Sequence, residues 1–184
     1  MIAGQVTRAQ LKIEGTVQGV GFRPFVFRVA RELGLAGWIM NGTEGVLIEA
    51  EGTADAVDRL LDRLRTGCPP GANIERMTLR AVPVIGEIAF TIQPSHEAGT
   101  KQLAMSPDLA TCADCLVELF EPTDRRFHYP WLSCAQCGPR MSMVTSIPYD
   151  RANTTMSRFA LCEDCRVEYD TPDDRRFHAE SIAC

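Results

Sequence analysis

Two sets of side chains in this sequence have the types and spacing to do chemistry. The first is thiol. Seven of the eight cysteines fall after residue 110, and six of them form CxxC pairs: Cys112/Cys115, Cys134/Cys137 and Cys162/Cys165. Eighteen residues separate the first pair from the second, and eighteen separate the third from Cys184. Two CxxC pairs at that distance can close a tetrahedron of thiolates around Zn2+, because each pair converges in a tight turn and two pairs complete the coordination. The second set is an anion cradle. The run Gln18-Gly19-Val20-Gly21-Phe22-Arg23 puts glycines where a strand turns into a helix. Such a turn leaves backbone N–H groups free, and the helix N-terminus adds positive potential. Arg23 stands where a guanidinium can take a phosphoryl group in a two-pronged grip. Asn41, at the end of a neighbouring strand, supplies a carboxamide able to hold a water. Taken one at a time, Gly19, Gly21 and Arg23 read better as turn residues and a solvated charge; taken together with Asn41 and the run around them, they favour a phosphate site.

The cysteines belong to a duplication. Cys162, Cys165 and Cys184 each follow Cys112, Cys115 and Cys134 by fifty positions, as Glu168 follows Glu118 and the run DRRFH at 174–178 follows that at 124–128. The duplication favours sequential metal sites over a cross-braced one. Cys112, Cys115, Cys134 and Cys137 form a complete set. Cys162, Cys165 and Cys184 are one ligand short, as in a sequence that stops inside its second unit, and His178 is a conceivable fourth donor. Units with so few large apolar residues need a metal staple. For DRRFH, a structural turn with Phe packed beneath and Arg paired to local acids is favoured over a docking surface for a partner.

The elements that position the cradle follow from periodicity. Ala9, Leu11, Ile13 and Val17 share one face of a strand. After the glycine turn, Pro24 suits a first helical turn, and Phe22, Val26, Val29 and Leu33 keep helical spacing up to Gly34. Trp38–Met40 and Val46–Ala50 flank the hairpin signal around Asn41-Gly42. Thr53 caps a helix carrying Val57, Leu60, Leu61 and Leu64 on one face. Strands around 77–81 and 88–92 complete a β-α-β-β-α-β order. The expected fold class is α+β: a ferredoxin-like antiparallel sheet with both helices on one face. Phe22, Val26 and Trp38 read as core. The expected division is 1–93, a linker over 94–111 that includes a surface His96, and tandem cysteine units over 112–184.

Composition excludes some functions. The net charge is −5, of which residues 1–100 hold −1 and residues 101–184 hold −4. Non-specific nucleic-acid binding needs a basic face, so no nucleic-acid partner is expected. No apolar run reaches membrane-spanning length, so no membrane partner is expected either. The run MIAGQVTRAQLKIEG lacks the pattern of an export signal, which suggests a cytoplasmic protein. There, metal ligation suits these cysteines better than disulfides.

Residues 15–23 (GTVQGVGFR) and 33–41 (LGLAGWIMN) resemble the signature of the acylphosphatase family. That resemblance implies that Arg23 and the amides of Gln18, Gly19, Val20, Gly21 and Phe22 bind phosphate, and that Asn41 orients the nucleophilic water. The chain as a whole resembles a second, wider family. Residues 112–115, 124–127, 134–140, 148–151, 154–156 and 174–178 are similar to the N-terminal part of the HypF carbamoyltransferases, which help mature NiFe hydrogenases. The resemblance implies hydrolysis of carbamoyl phosphate to carbamate and phosphate at Arg23 and Asn41, with structural zinc units. It also implies later domains of the same parent protein that pass the carbamoyl group to the partner HypE, where it becomes cyanide. A catalytically inactive scaffold fragment of that parent is the alternative.

Overall fold

The structure, a computed structural model, describes residues 5–96 and 105–184. Residues 97–104 of the expected linker lie outside the described residues. The first part runs β1 (Val6–Thr16), α1 (Phe22–Glu32), β2 (Ala36–Gly42), β3 (Gly45–Thr53), α2 (Ala54–Thr66), β4 (Asn73–Val82) and β5 (Phe90–Ile92). The strands form one sheet in the order β4-β1-β3-β2-β5. The first four strands pair antiparallel, as the pattern predicts. The short β5 departs from the expectation, because it lies parallel to β2. The chain leaves β4 at one edge of the sheet, crosses to the other, and arrives running with β2.

The core lies between the sheet and the two helices. Ala9, Leu11, Ile13 and Ile48 point in from the sheet, Val26 and Val29 from α1, and Val57, Leu60 and Leu64 from α2. Phe22 and Val26 are buried as expected, but Trp38 is only half-buried. It sits one step out of phase with the buried Gly37 and Ile39, and period two sends it to the reverse face. The Thr53 hydroxyl accepts the Ala56 N–H at 3.2 Å, a cap that stabilises a helix by about 1 kcal/mol.

The second part holds two matching helices, α3 (Ala113–Phe120) and α4 (Glu163–Asp170), each starting inside a CxxC pair. Each unit buries a very small cluster, one around Cys115, Leu132, Cys134 and Cys137, the other around Cys165, Ala179 and Ile182. Between the two clusters runs the stretch 138–161. This stretch carries two short 3-10 turns, Arg151–Asn153 and Thr155–Arg158, and it reaches back onto the glycine turn.

Candidate functional site

The turn between β1 and α1 is shaped by two glycines. Gly19 and Gly21 have φ of 72° and 74°, the left-handed region where a side chain is strained. A Cβ on Gly19 would also come within 2.9 Å of the Arg140 side chain. Gly21 caps α1. Among the described residues, no protein acceptor takes the backbone N–H of Gly19, Val20, Gly21, Phe22 or Arg23. Val20 and Phe22 bury their side chains in the core and present only backbone to the turn. The Gln18 side chain does something else. Its Nε2 donates to the carbonyls of Gly42 and Gly45 at 2.7 and 2.8 Å, and its Oε1 accepts the Tyr149 N–H at 2.9 Å. It clamps the turn to the β2–β3 hairpin and to the 138–161 stretch.

Arg23 and Asn41 converge on one oxygen. Arg23 Nη2 and Asn41 Nδ2 each donate to the Tyr149 carbonyl at 3.0 Å. Arg23 also pairs with Asp150 through Nη1 and with Glu180 through Nη2, both at 2.7 Å. Asn41 Oδ1 is buried with no hydrogen-bond partner. A buried carbonyl oxygen without a donor calls for one, and a water can supply it. The cavity beside these groups is about 20 Å³, roughly the room one water needs. Burial works against the charge on Arg23, but Glu180 and Asp150 outweigh it and hold the guanidinium above its ordinary value. Burial pushes the Glu180 carboxyl up, against the pull of Arg23.

Sequence reasoning assigned no role here to Tyr149, Asp150, Glu180 or Arg140. Arg140 is 1% exposed and lines the same cavity. Its Nε donates to the Gly19 carbonyl, and its Nη atoms donate to Pro139, Cys134 and Ala135 carbonyls. The available signal for Arg140, Tyr149 and Asp150 was the polar and charged residues of 138–161, a stretch that lies between the two groups of cysteines.

The cysteines fall into the two sequential groups expected. Cys112, Cys115, Cys134 and Cys137 bring their sulfurs together, with Sγ separations of 3.9 Å for 112–134, 3.7 Å for 134–137 and 3.5 Å for 115–137. Four thiolates about 2.3 Å from one zinc stand about 3.8 Å apart, so the donor set fits zinc. Cys162, Cys165 and Cys184 form a second group, with no fourth donor among the described residues. His178 is not that donor, for it lines the cavity beside Arg23.

The DRRFH segments differ from the local turn expected of them. Their Asp side chains are local, with Asp124 and Asp174 each accepting the N–H two residues on at 2.7 Å. Phe177 packs on Phe27, whereas Phe127 is exposed and stacks on His128. The arginines reach across to the other unit. Arg125 and Arg126 grip Glu168, and Arg175 and Arg176 grip Glu118. Burial pushes the Glu118 carboxyl up, yet the two arginines pull it down to about 2.

His178 supplies a pH dependence. Burial first, then Arg23, pushes its pKa down to about 4, so the folded chain holds it neutral. In the unfolded chain it protonates near 6.5. The stability this provides is whole above pH 6.5 and is lost as pH falls through 4, on the order of 3 kcal/mol. Denaturant midpoints measured from pH 7 to 4 will show the loss, and His178→Gln will flatten it.

Comparison with known proteins adds to this geometry. Residues 9–92 match the Acylphosphatase family, and residues 111–144 and 161–184 match the HypF finger. The chain is 45% identical over 149 residues to a carbamoyltransferase HypF from Synechocystis sp., covering 81% of this chain and 19% of that protein. It is 41% identical over 96 residues to an acylphosphatase from Synechococcus sp., covering 50% of this chain and 79% of that protein. A solved structure described as full-length HypF in the phosphate- and nucleotide-bound form superposes with a TM-score of 0.95 at 43% identity, over 98% of this chain and 24% of that one. The chain therefore spans roughly a fifth to a quarter of the HypF proteins it matches.

Proposed function

The chain belongs to the acylphosphatase family, in the arrangement that carries a HypF finger, and from that premise we propose that it hydrolyses carbamoyl phosphate to carbamate and phosphate. The observation that carries the reading is the convergence of Arg23 and Asn41 on a single oxygen, with the unpartnered Asn41 Oδ1 beside it. In this reading the free amides of residues 19–23 and the Arg23 guanidinium hold the phosphoryl oxygens, and Asn41 Oδ1 accepts from the attacking water. The water oxygen forms a new bond to phosphorus and the bridging P–O bond breaks. Carbamate leaves with the bonding pair, and a proton from the water passes to the phosphate. The catalysis is positioning and charge stabilisation, with no covalent intermediate.

Substrate must displace the Tyr149 carbonyl and the Asp150 and Glu180 carboxylates, which occupy the donors it would use. The 138–161 stretch and Glu180 therefore move on binding. In the same reading the chain divides into a catalytic domain at 1–93, a linker at 94–111 and structural zinc units at 112–184. In a parent protein the product goes on to later domains and to HypE for cyanide-ligand synthesis in NiFe hydrogenase maturation, in the cytoplasm. No described helix is long and apolar enough to cross a membrane. The occupation of the Arg23 and Asn41 donors by Tyr149, Asp150 and Glu180 favours one second reading, an inactive scaffold.

Phosphate release from carbamoyl phosphate separates the two. The Asn41→Ala chain should lose about 10²-fold in kcat while phosphate affinity stays within about threefold, because the water is lost and the cradle is kept. Equal rates for wild type and variant would leave only the scaffold.

A further inference from the structure

The arginine pairs of the repeat connect each metal group to the opposite unit, and the connection is reciprocal. From the first unit, Arg125 Nη2 donates to Cys165 Sγ at 3.3 Å and Nη1 reaches Cys162 Sγ at 4.0 Å. Arg126 Nη2 donates to Cys165 Sγ at 3.4 Å and forks onto Glu168 at 3.0 and 2.6 Å. From the second unit, Arg175 Nη2 donates to Cys115 Sγ at 2.9 Å and Nη1 reaches Cys112 Sγ at 3.8 Å. Arg176 forks onto Glu118, and Arg175 holds the same carboxylate at 2.8 and 2.9 Å. The backbone follows the same exchange, for Arg126 Nε donates to the Ala183 carbonyl and Arg176 Nε to that of Ser133, fifty positions apart. Among the described residues, neither group of cysteines takes a donor from its own DRRFH, and the one ion pair these arginines make within a unit is the longer Arg176 Nε–Glu168 pair at 4.0 Å.

Four thiolates holding one divalent cation carry two net negative charges, and the partly buried glutamate beside them adds a third. N–H donors on sulfur and nearby guanidinium charges stabilise such a group. Here those charges arrive only when the other unit is folded, and units of this size fold when their metal binds. We propose that the two metal groups are coupled through Arg125, Arg126, Arg175 and Arg176. Each pair positions and charge-balances the cysteines of the opposite unit, so that metal in one strengthens its hold in the other. By linkage the coupling is the same in both directions. This answers why DRRFH recurs where no ligand is needed from it, and it rests on the reading of the cysteines as zinc ligands.

The complete group, Cys112, Cys115, Cys134 and Cys137, gives the readout. Zinc is withdrawn from the 184-residue chain with a chromophoric chelator, and cysteine Cβ shifts report which group has lost metal. Replacing the pair from the far unit, Arg175→Gln with Arg176→Gln, should weaken zinc at this group by about 10- to 100-fold. Replacing the near pair, Arg125→Gln with Arg126→Gln, should weaken it less. A larger effect from the near pair, or an unchanged affinity with the far pair replaced, overturns the proposal. Should the far-pair variant fail to fold, Arg175→Lys decides. It keeps the charge and loses the fork, so a loss of about tenfold supports the coupling and wild-type affinity contradicts it. A folded wild-type chain that binds no zinc overturns the metal reading itself, and the coupling with it.

Discussion

Arg23→Ala lowers kcat/KM for phosphate release from carbamoyl phosphate by about 10³-fold, the largest single loss expected in the acylphosphatase part. Among the described residues, the guanidinium is the one side-chain cation that shares an oxygen with Asn41, and it stands on the first turn of α1. Removing it takes away both charge and fork. It also strands the buried Glu180 carboxylate and part of Asp150, an unpaired burial that destabilises by several kcal/mol. Arg23→Lys separates the two effects. A lysine keeps one positive charge for the carboxylates but cannot grip two oxygens, so the chain stays folded and still loses at least about tenfold. Asp150→Asn acts in the opposite direction. Its carboxylate competes with phosphate for Arg23 Nη1, so its neutral amide should tighten phosphate binding.

Stripping zinc has the second large effect. The two cysteine units bury only small clusters, far too little to offset the conformational entropy of some seventy residues. In the structural role proposed for it, zinc would contribute about 10–16 kcal/mol to such units, comparable to or above the whole stability of an ordinary domain. The chelated chain should therefore lose amide protection across 112–137 while β1–β5, with their own core of twenty buried residues, stay protected. The Tyr149 carbonyl and Asp150 should then leave Arg23, because 138–161 is held between the two units. Hydrogen exchange before and after chelation measures both. Protection that persists at 112–137 without metal would remove the structural role of the zinc.

Much of this was legible in the sequence, for physical reasons that differ by element. β1 and α2 have clean apolar periods and a side-chain cap at Thr53, so their faces and ends could be read directly. The cysteine spacing fixed which sulfurs meet, because CxxC geometry is local and the duplication ordered the pairs. Arg23 and Asn41 were legible as a motif. Their partners were not. Asp150 and Glu180 lie 127 and 157 positions from Arg23, and no local period links loop residues across such distances. The exchange of arginines between units was hidden for a related reason, since a repeat implies two similar units but not how they face one another. The parallel setting of β5 follows from a crossover whose path three strand residues cannot announce.

The most direct measurement of the anion cradle is a phosphate titration of the 15N-labelled chain, followed by NMR at the backbone amides of residues 19–23. The account predicts saturable shifts at those five amides and at the Asn41 side chain, lost in Arg23→Ala or Arg23→Lys. Shifts confined to other surfaces, or none at millimolar phosphate in a folded chain, would contradict it.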